Sequence, residues 1–275
     1  MEARSVVGTE EDSKEANRPA WGEYPQWLAS KDQAAGNALA TKGRYETVGA
    51  KIRNDVATSE AWQAILANLR EFNDEYTIAT GYRLLANLDV PNIYLKPYDS
   101  ILDKTYRKNV LNNDRWPHPP DQNWITPANW YVATNDVVRT TVVVKYLDGV
   151  QFLVAKLKEI AEKYGHEFAA DFEARDEGYY AAHCYLWFDL EIPKLDWDTE
   201  IIRVRLEIQV TTQLQDVIRK LTHDYYEQRR SRSTPRDKKW QWDYESPEFL
   251  PNYLGHVLHY MEGMIMEVRK RGNTP

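Results

Sequence analysis

The stretch RVRLEIQVTT, Arg203 to Thr212, decides the fold. Val204, Leu206, Ile208 and Val210 alternate with Arg203, Arg205, Glu207 and Gln209, the period-two pattern of a strand with one apolar and one polar face. Glu and Gln are poor strand formers, so finding them two residues apart in mid-strand calls for a reason. Either that polar face meets water or it lines a site.

The neighbouring segments extend the pattern. Residues following the strand, TTQLQDVIRKLTHDYYEQRR, read as a helix, and strands are expected before it at about 167–173 and 179–192. Asp136 opens another apolar strand, VVRTTVVVKY, which leads into a helix over about 149–164. Thr58-Ser59 before Glu60 is a helix start, and Trp62, Ile65, Leu66, Leu69 and Phe72 mark its apolar face. A further helix is expected at about 98–111, and a last one at about 248–270, where Leu254, Val257, Leu258, Met261, Ile265 and Val268 recur at helical spacing. RWPHPPDQNWITPANW (115–130) reads as an irregular loop rich in Pro and Trp. The expected fold class is α+β: a mixed sheet flanked by helices, with extra N- and C-terminal helices. The expected organisation is a loose tail at 1–20, a helical region at 21–90, a core at 91–228, a basic linker at 229–245 and a C-terminal helix at 246–275.

Composition narrows the function classes. A chain of 275 residues with 43% hydrophobic and 12% aromatic residues can bury a sizeable core. Its formal net charge of −7 is not that of a polycation built to coat nucleic acid, although a local basic patch remains possible. The single cysteine, Cys184, excludes an internal disulfide and fits a reducing compartment. The polar start shows no apolar leader, and no apolar run approaches a membrane span, so a cytoplasmic protein with no membrane partner is expected.

Four stretches carry chemistry. In NIYLKPYDSILDKTYRKN (92–109), Lys96, Lys104, Arg107 and Lys108 gather around Ser100, and the last three cations lie three or four residues apart on a helix. They form either a solvated face or a cradle for a triphosphate. Asp136 is either a turn former or a Mg²⁺ ligand at a strand mouth. In DEGYYAAH (176–183), Gly178 would let the backbone approach a ligand, and a tyrosine would offer a flat face to a base. On the opening strand, Glu207 is a candidate metal ligand or base for a hydroxyl, with Arg205 and Gln209 beside it.

Taken in order, these stretches resemble the synthetase domain of the RelA/SpoT family. That pattern runs K-x-x-x-S-I-x-x-K, an Asp opening a strand, G-Y-x-S-x-H, then E-x-Q-x-x-T and a helix with a His-Asp pair. Here it is met by Lys96, Ser100, Ile101 and Lys104, then Asp136, then Gly178, Tyr179 and His183, then Glu207, Gln209 and Thr212, and His223-Asp224. The resemblance covers about residues 90–228. It implies transfer of the β,γ-pyrophosphate of ATP to the 3′-hydroxyl of a guanosine or adenosine nucleotide, giving an alarmone of the (p)ppGpp type. By position, Lys96, Ser100 and Lys104, with Arg107 and Lys108, would meet the ATP phosphates. Asp136 and Glu207 would hold Mg²⁺, and Glu207 would activate the hydroxyl with Gln209 in support. Tyr179, His183 and Arg205 would bind the acceptor.

The chain departs from the pattern at three places: Tyr94 where an Arg is common, Arg139 where Gly is common, and Ala181 where the pattern has Ser. Two other readings stand beside the first. Some small relatives are toxins, neutralised by a protein antitoxin, that place pyrophosphate on the 3′-CCA end of tRNA. The run of Arg229, Arg230, Arg232, Arg236, Lys238 and Lys239 would suit that acceptor's backbone. The other reading is a catalytically inactive binding module whose terminal helix docks an antitoxin or a second subunit.

Overall fold

The computed structural model describes residues 18–31, 38–194, 198–230, 239–247 and 249–272, with the side chains of 38–39 and 222–230 left aside. Most of the expected tail, the His223-Asp224 pair and most of the basic run therefore lie outside the described residues. In chain order the elements are α1 (Tyr24–Lys31), α2 (Ala38–Thr58), α3 (Glu60–Thr80), β1 (Tyr94–Leu95) and α4 (Tyr98–Tyr106), which runs into a π turn at Arg107–Leu111. Then come α5 (Trp130–Ala133), β2 (Val138–Val144), α6 (Leu147–Lys163), β3 (Phe168–Ala174), β4 (Tyr180–Pro193), β5 (Thr199–Thr212), α7 (Gln213–Arg230) and α8 (Phe249–Gly272).

The strands form a five-stranded sheet in the order β1-β2-β5-β4-β3. It is the mixed sheet with flanking helices that the alternating segments predict. β3 pairs antiparallel with β4, with Asp171 opposite His183 and Glu173 opposite Ala181. No helix among the described residues is long and apolar enough to cross a membrane.

The chain divides into two compact units. One comprises Met1–Asn54, Leu95–Val138 and Asp189–Val204. Its core is aromatic: Tyr24, Leu28, Leu102, Val110 and Trp116, joined by Trp27 and Trp124. The Pro- and Trp-rich segment is thus a wall of this core rather than a surface loop. Asn109, fully buried, ties it down: its Nδ2 donates to Ile125 O (2.8 Å) and to the Tyr24 hydroxyl (3.0 Å), and its Oδ1 accepts from Ile125 N (3.0 Å). Deep in a core such an amide must satisfy all of its polar atoms locally, and this one fixes helix, turn and segment together.

The second unit comprises Asp55–Tyr94, Arg139–Phe188 and Arg205–Pro275. In it α3 starts on Ser59, whose Oγ accepts from Trp62 N, and stops at Gly81 in the left-handed conformation (φ 77°). Its buried residues Trp62, Ile65, Leu69 and Phe72 are those the spacing predicts. α3 packs on α6, whose buried Val150, Leu153, Val154, Leu157 and Ile160 follow the same helical period.

α8 inverts the expectation. Its buried positions are Asn252, Gly255, Glu262 and Arg269, whereas Met264 and Val268 are 67% and 71% exposed and Met261 and Ile265 also face outward. The reasons are local. Gly255 lies against the backbone of Gly178, where a Cβ on either glycine would collide with the other segment. Arg269 sits between the rings of Tyr82 and Tyr146, 4.1 and 4.4 Å from their centroids, and bonds Asp148 Oδ1 at 3.1 Å. The positive φ of Gly178 (77°) therefore serves contact with α8, not the approach to a ligand that the sequence suggests.

Candidate active-site clusters

The first cluster belongs to the first unit and is built on Asp136. One carboxylate oxygen meets Lys96 Nζ at 2.9 Å and the other meets Lys104 Nζ at 2.8 Å. Lys96 is held by its own backbone: its N–H donates to Val137 O (2.8 Å) and its carbonyl accepts from the Tyr45 hydroxyl (2.8 Å). Tyr45 is placed in turn by stacking on Tyr131, whose hydroxyl donates to Tyr45 O. Lys104 comes from α4, while Lys96 directly follows β1. Burial alone would push the Asp136 carboxyl up, but Lys104 and Lys96 outweigh it and hold the group well below the usual carboxylate range.

The other predicted phosphate-binding residues are Ser100, Arg107 and Lys108. Ser100 lies half-buried on α4. Arg107 pairs with Asp103 one turn back on its own helix (3.0 Å), so part of its charge is offset locally. Lys108 is exposed. Tyr94 is exposed on β1, and Arg139 is half-buried on β2.

The second cluster belongs to the second unit and runs through side chains of β3, β4 and β5. His183 and Glu207 are 5% and 4% exposed. His183 Nδ1 lies 2.6 Å from Glu207 Oε1, and His183 Nε2 lies 3.0 Å from the Tyr179 hydroxyl. With a carboxylate at Nδ1, that nitrogen carries the proton, and the Tyr179 O–H donates to Nε2. Gln209 Nε2 donates to the other Glu207 oxygen at 3.2 Å. Tyr179, His183, Glu207 and Gln209 thus form one hydrogen-bonded row.

Two members of this cluster were not among the sequence-predicted residues. Glu173 on β3 forms an ion pair with Arg175 and lies 3.6 Å from His183 Nε2. Arg175 in turn places its guanidinium 5.1 Å from the Tyr179 ring centroid. The available signal was strand alternation: the register that sets Asp171 opposite His183 also brings Glu173 onto the same face. Burial, then the Glu173 carboxylate, push the Tyr179 phenol up to about 12 against Arg175 and Arg219, so it stays a hydrogen-bond donor at neutral pH. Arg205 sits over Trp187 at 5.9 Å; burial lowers its pKa, with Tyr185 and Glu207 opposing.

Asp136 and Glu207 are the carboxylates the sequence offers to Mg²⁺. Among the described residues no group of three or more His, Cys, Asp and Glu side chains forms a metal cage. Both oxygens of each carboxylate already have protein partners. Each carboxylate by itself suits an ion that arrives with nucleotide phosphates, not a closed all-protein cage.

No family model and no curated protein matches the sequence. The fold is similar to several solved structures. One is small alarmone synthetase 1 from Bacillus subtilis bound to its product pppGpp, at TM-score 0.49 and 14% identity over 84% of this chain and 98% of that one. A GTP pyrophosphokinase family protein from Streptococcus pneumoniae gives TM-score 0.47 and 15% identity over 77% and 90%. Small alarmone synthetase 2 from Bacillus subtilis gives TM-score 0.41 and 15% identity over 77% and 100%.

Proposed function

We propose that the protein is an ATP-dependent pyrophosphokinase that moves the β,γ-pyrophosphate of ATP onto the 3′-hydroxyl of a guanosine or adenosine nucleotide. The observation that carries this reading is the fate of the ordered motif residues. Seven of them enter two charge-bearing clusters, Lys96–Asp136–Lys104 and Tyr179–His183–Glu207–Gln209. Buried charges at this density are costly as mere scaffolding, and they are what phosphoryl chemistry requires.

Each cluster has a distinct task. ATP phosphates compete with Asp136 for Lys96 and Lys104, so the lysines exchange one anion for another without being left unpaired. Asp136 in the first cluster and Glu207 in the second are each a carboxylate that would take Mg²⁺, which offsets phosphate charge when bound. The Tyr179 ring, with Arg175 beside it, offers a flat electron-rich face on which an acceptor base can stack. Glu207 accepts the proton of the 3′-hydroxyl as the oxygen attacks the β-phosphorus of ATP and AMP departs. His183 and Gln209 hold the carboxylate in one orientation, a positioning role.

The test is an acceptor panel. The protein is incubated with γ-labelled ATP, Mg²⁺ and, separately, GDP, GTP, AMP, ADP or bulk tRNA. Label on a mononucleotide supports the reading. Label on tRNA alone transfers the proposal to the polynucleotide acceptor, and label on nothing contradicts pyrophosphate transfer.

A further inference from the structure

The turn that presents Tyr179 is fastened to α8 by a histidine that lies outside the sequence motifs. Arg175 to Tyr179 is a tight reversal: Gly178 N–H donates to Arg175 O at 2.9 Å, and Arg175 N–H donates to Tyr179 O at 3.0 Å. His256 on α8 holds both sides of it. Its Nε2 lies 2.9 Å from Asp176 O, and its Nδ1 lies 2.8 Å from the Tyr180 hydroxyl. A carbonyl can only accept, so Nε2 carries the proton and Nδ1 accepts from the Tyr180 O–H. One imidazole thus bonds the turn before Gly178 and the strand after it.

Other contacts fix the imidazole and its helix. Trp240 lies parallel to the His256 ring, with 7° between the planes and 5.9 Å between centroids. Gln215 Nε2 donates to the carbonyl of the preceding residue, Gly255, at 3.2 Å. Gly255 itself rests on the backbone of Gly178, an approach that leaves no room for a Cβ. Tyr180 is engaged twice, because its ring also stacks on His259 of α8 at 3.7 Å with 4° between the planes. Tyr179 and Tyr180 are consecutive, and Tyr180 opens β4, so their side chains leave opposite faces of the chain. Anchoring Tyr180 on α8 therefore sets the rotation of the strand about its axis. With it goes the direction of the Tyr179 ring, whose hydroxyl meets His183 at 3.0 Å.

We propose that His256 is a positioning residue for the acceptor: by tying Asp176 and Tyr180 to α8 it aims the Tyr179 ring at the acceptor base. The proposal rests on the pyrophosphate-transfer reading above. A ring that is already aimed loses little freedom when a base stacks on it, so the effect falls on acceptor binding. ATP binding is spared, because Lys96 and Lys104 belong to the other unit.

Steady-state kinetics and amide hydrogen exchange of the full chain test the proposal with Tyr180→Phe, nearly isosteric, and with His256→Ala and His256→Gln. The first two break the bridge and should raise KM for the acceptor by about three- to tenfold, the size of one lost hydrogen bond, with KM for ATP unchanged. The Arg175 and Gly178 amides should exchange faster in both, while the amides of α3 keep their protection. His256→Gln still offers one donor and one acceptor, and should restore most of the acceptor KM. The proposal is overturned if Tyr180→Phe and His256→Ala keep the wild-type acceptor KM or the wild-type exchange of the turn. It is overturned equally if KM for ATP rises as far as that for the acceptor, or if His256→Gln does no better than His256→Ala. A wild type that labels no acceptor is a different failure: it refutes pyrophosphate transfer itself, and the acceptor role with it.

Discussion

Substituting Asp136 by Asn probes the first cluster most sharply. Asparagine keeps the shape and one acceptor oxygen, but it turns its NH₂ toward one of two lysines and removes the charge that both share. Two charge-assisted contacts, at 2.9 and 2.8 Å, are weakened at once, and the side chain of Lys96 is only 8% exposed. Breaking a fully buried ion pair costs about 3–5 kcal/mol, and partial exposure of Lys104 lets water return some of this, so a loss of about 2–4 kcal/mol at pH 7 is expected. For a chain of this size that corresponds to a melting point lower by about 5–15 °C.

The sign of the pH dependence follows from the depressed Asp136 pKa. A carboxylate whose folded pKa lies below its unfolded value contributes stability fully above the unfolded value, about 3.9, and loses it as the pH falls below that toward the folded value. The gap between wild type and Asp136→Asn should therefore be constant from pH 7 to 5 and narrow below about pH 4. Urea denaturation at pH 7, 5 and 3 measures it. A gap under about 0.5 kcal/mol at neutral pH, the scatter of ordinary surface changes, refutes the reasoning. So does a gap that widens on acidification.

Other perturbations separate site from scaffold. Tyr179→Phe removes the donor to His183 but keeps the ring, and should lower kcat by about tenfold with KM for the acceptor unchanged, whereas Tyr179→Ala should raise that KM as well; steady-state kinetics with the acceptor found in the panel distinguish them. Gly178→Ala places a Cβ against the α8 backbone at a left-handed φ, and calorimetry should show a destabilisation of about 2 kcal/mol or more. Arg269→Met strips the cation from between Tyr82 and Tyr146 and from Asp148; chemical denaturation should register a loss of about 2–4 kcal/mol, and a neutral result would show that α8 is held by something else.

Where period and side-chain type agree, the sequence is legible. The alternation in β5 places Leu206 and Ile208 in the core and Glu207 and Gln209 on one face, and α3 shows its apolar stripe and its Ser59 cap in plain letters. The row from Tyr179 to Gln209 was readable only as an ordered set of motifs, because the 2.6 Å contact of His183 with Glu207 depends on how strands align, which letters do not state. Glu173 and Arg175 were missed for the same reason. α8 misled for a different one. Its apolar residues cover more than one face, and which face is buried was settled by Gly255 against Gly178 and by Arg269 between two tyrosines. Those long-range contacts leave no mark in local polarity. The Pro- and Trp-rich segment was underrated likewise: its core role rests on the Asn109 side chain, and a buried Asn cannot be told from an exposed one by pattern.

Pyrophosphate transfer by wild type and by Glu207→Gln tests the central claim most directly. The substitution keeps the size of the side chain and its place between His183 and Gln209, so the variant should still fold, melting below the wild type because one of two accepting oxygens becomes an NH₂. Removing a general base costs typically 10²–10⁴ in rate, so label transfer from γ-labelled ATP to a nucleotide 3′-hydroxyl should fall by about a hundredfold or more. Transfer by Glu207→Gln at the wild-type rate, with both proteins folded, would contradict the account.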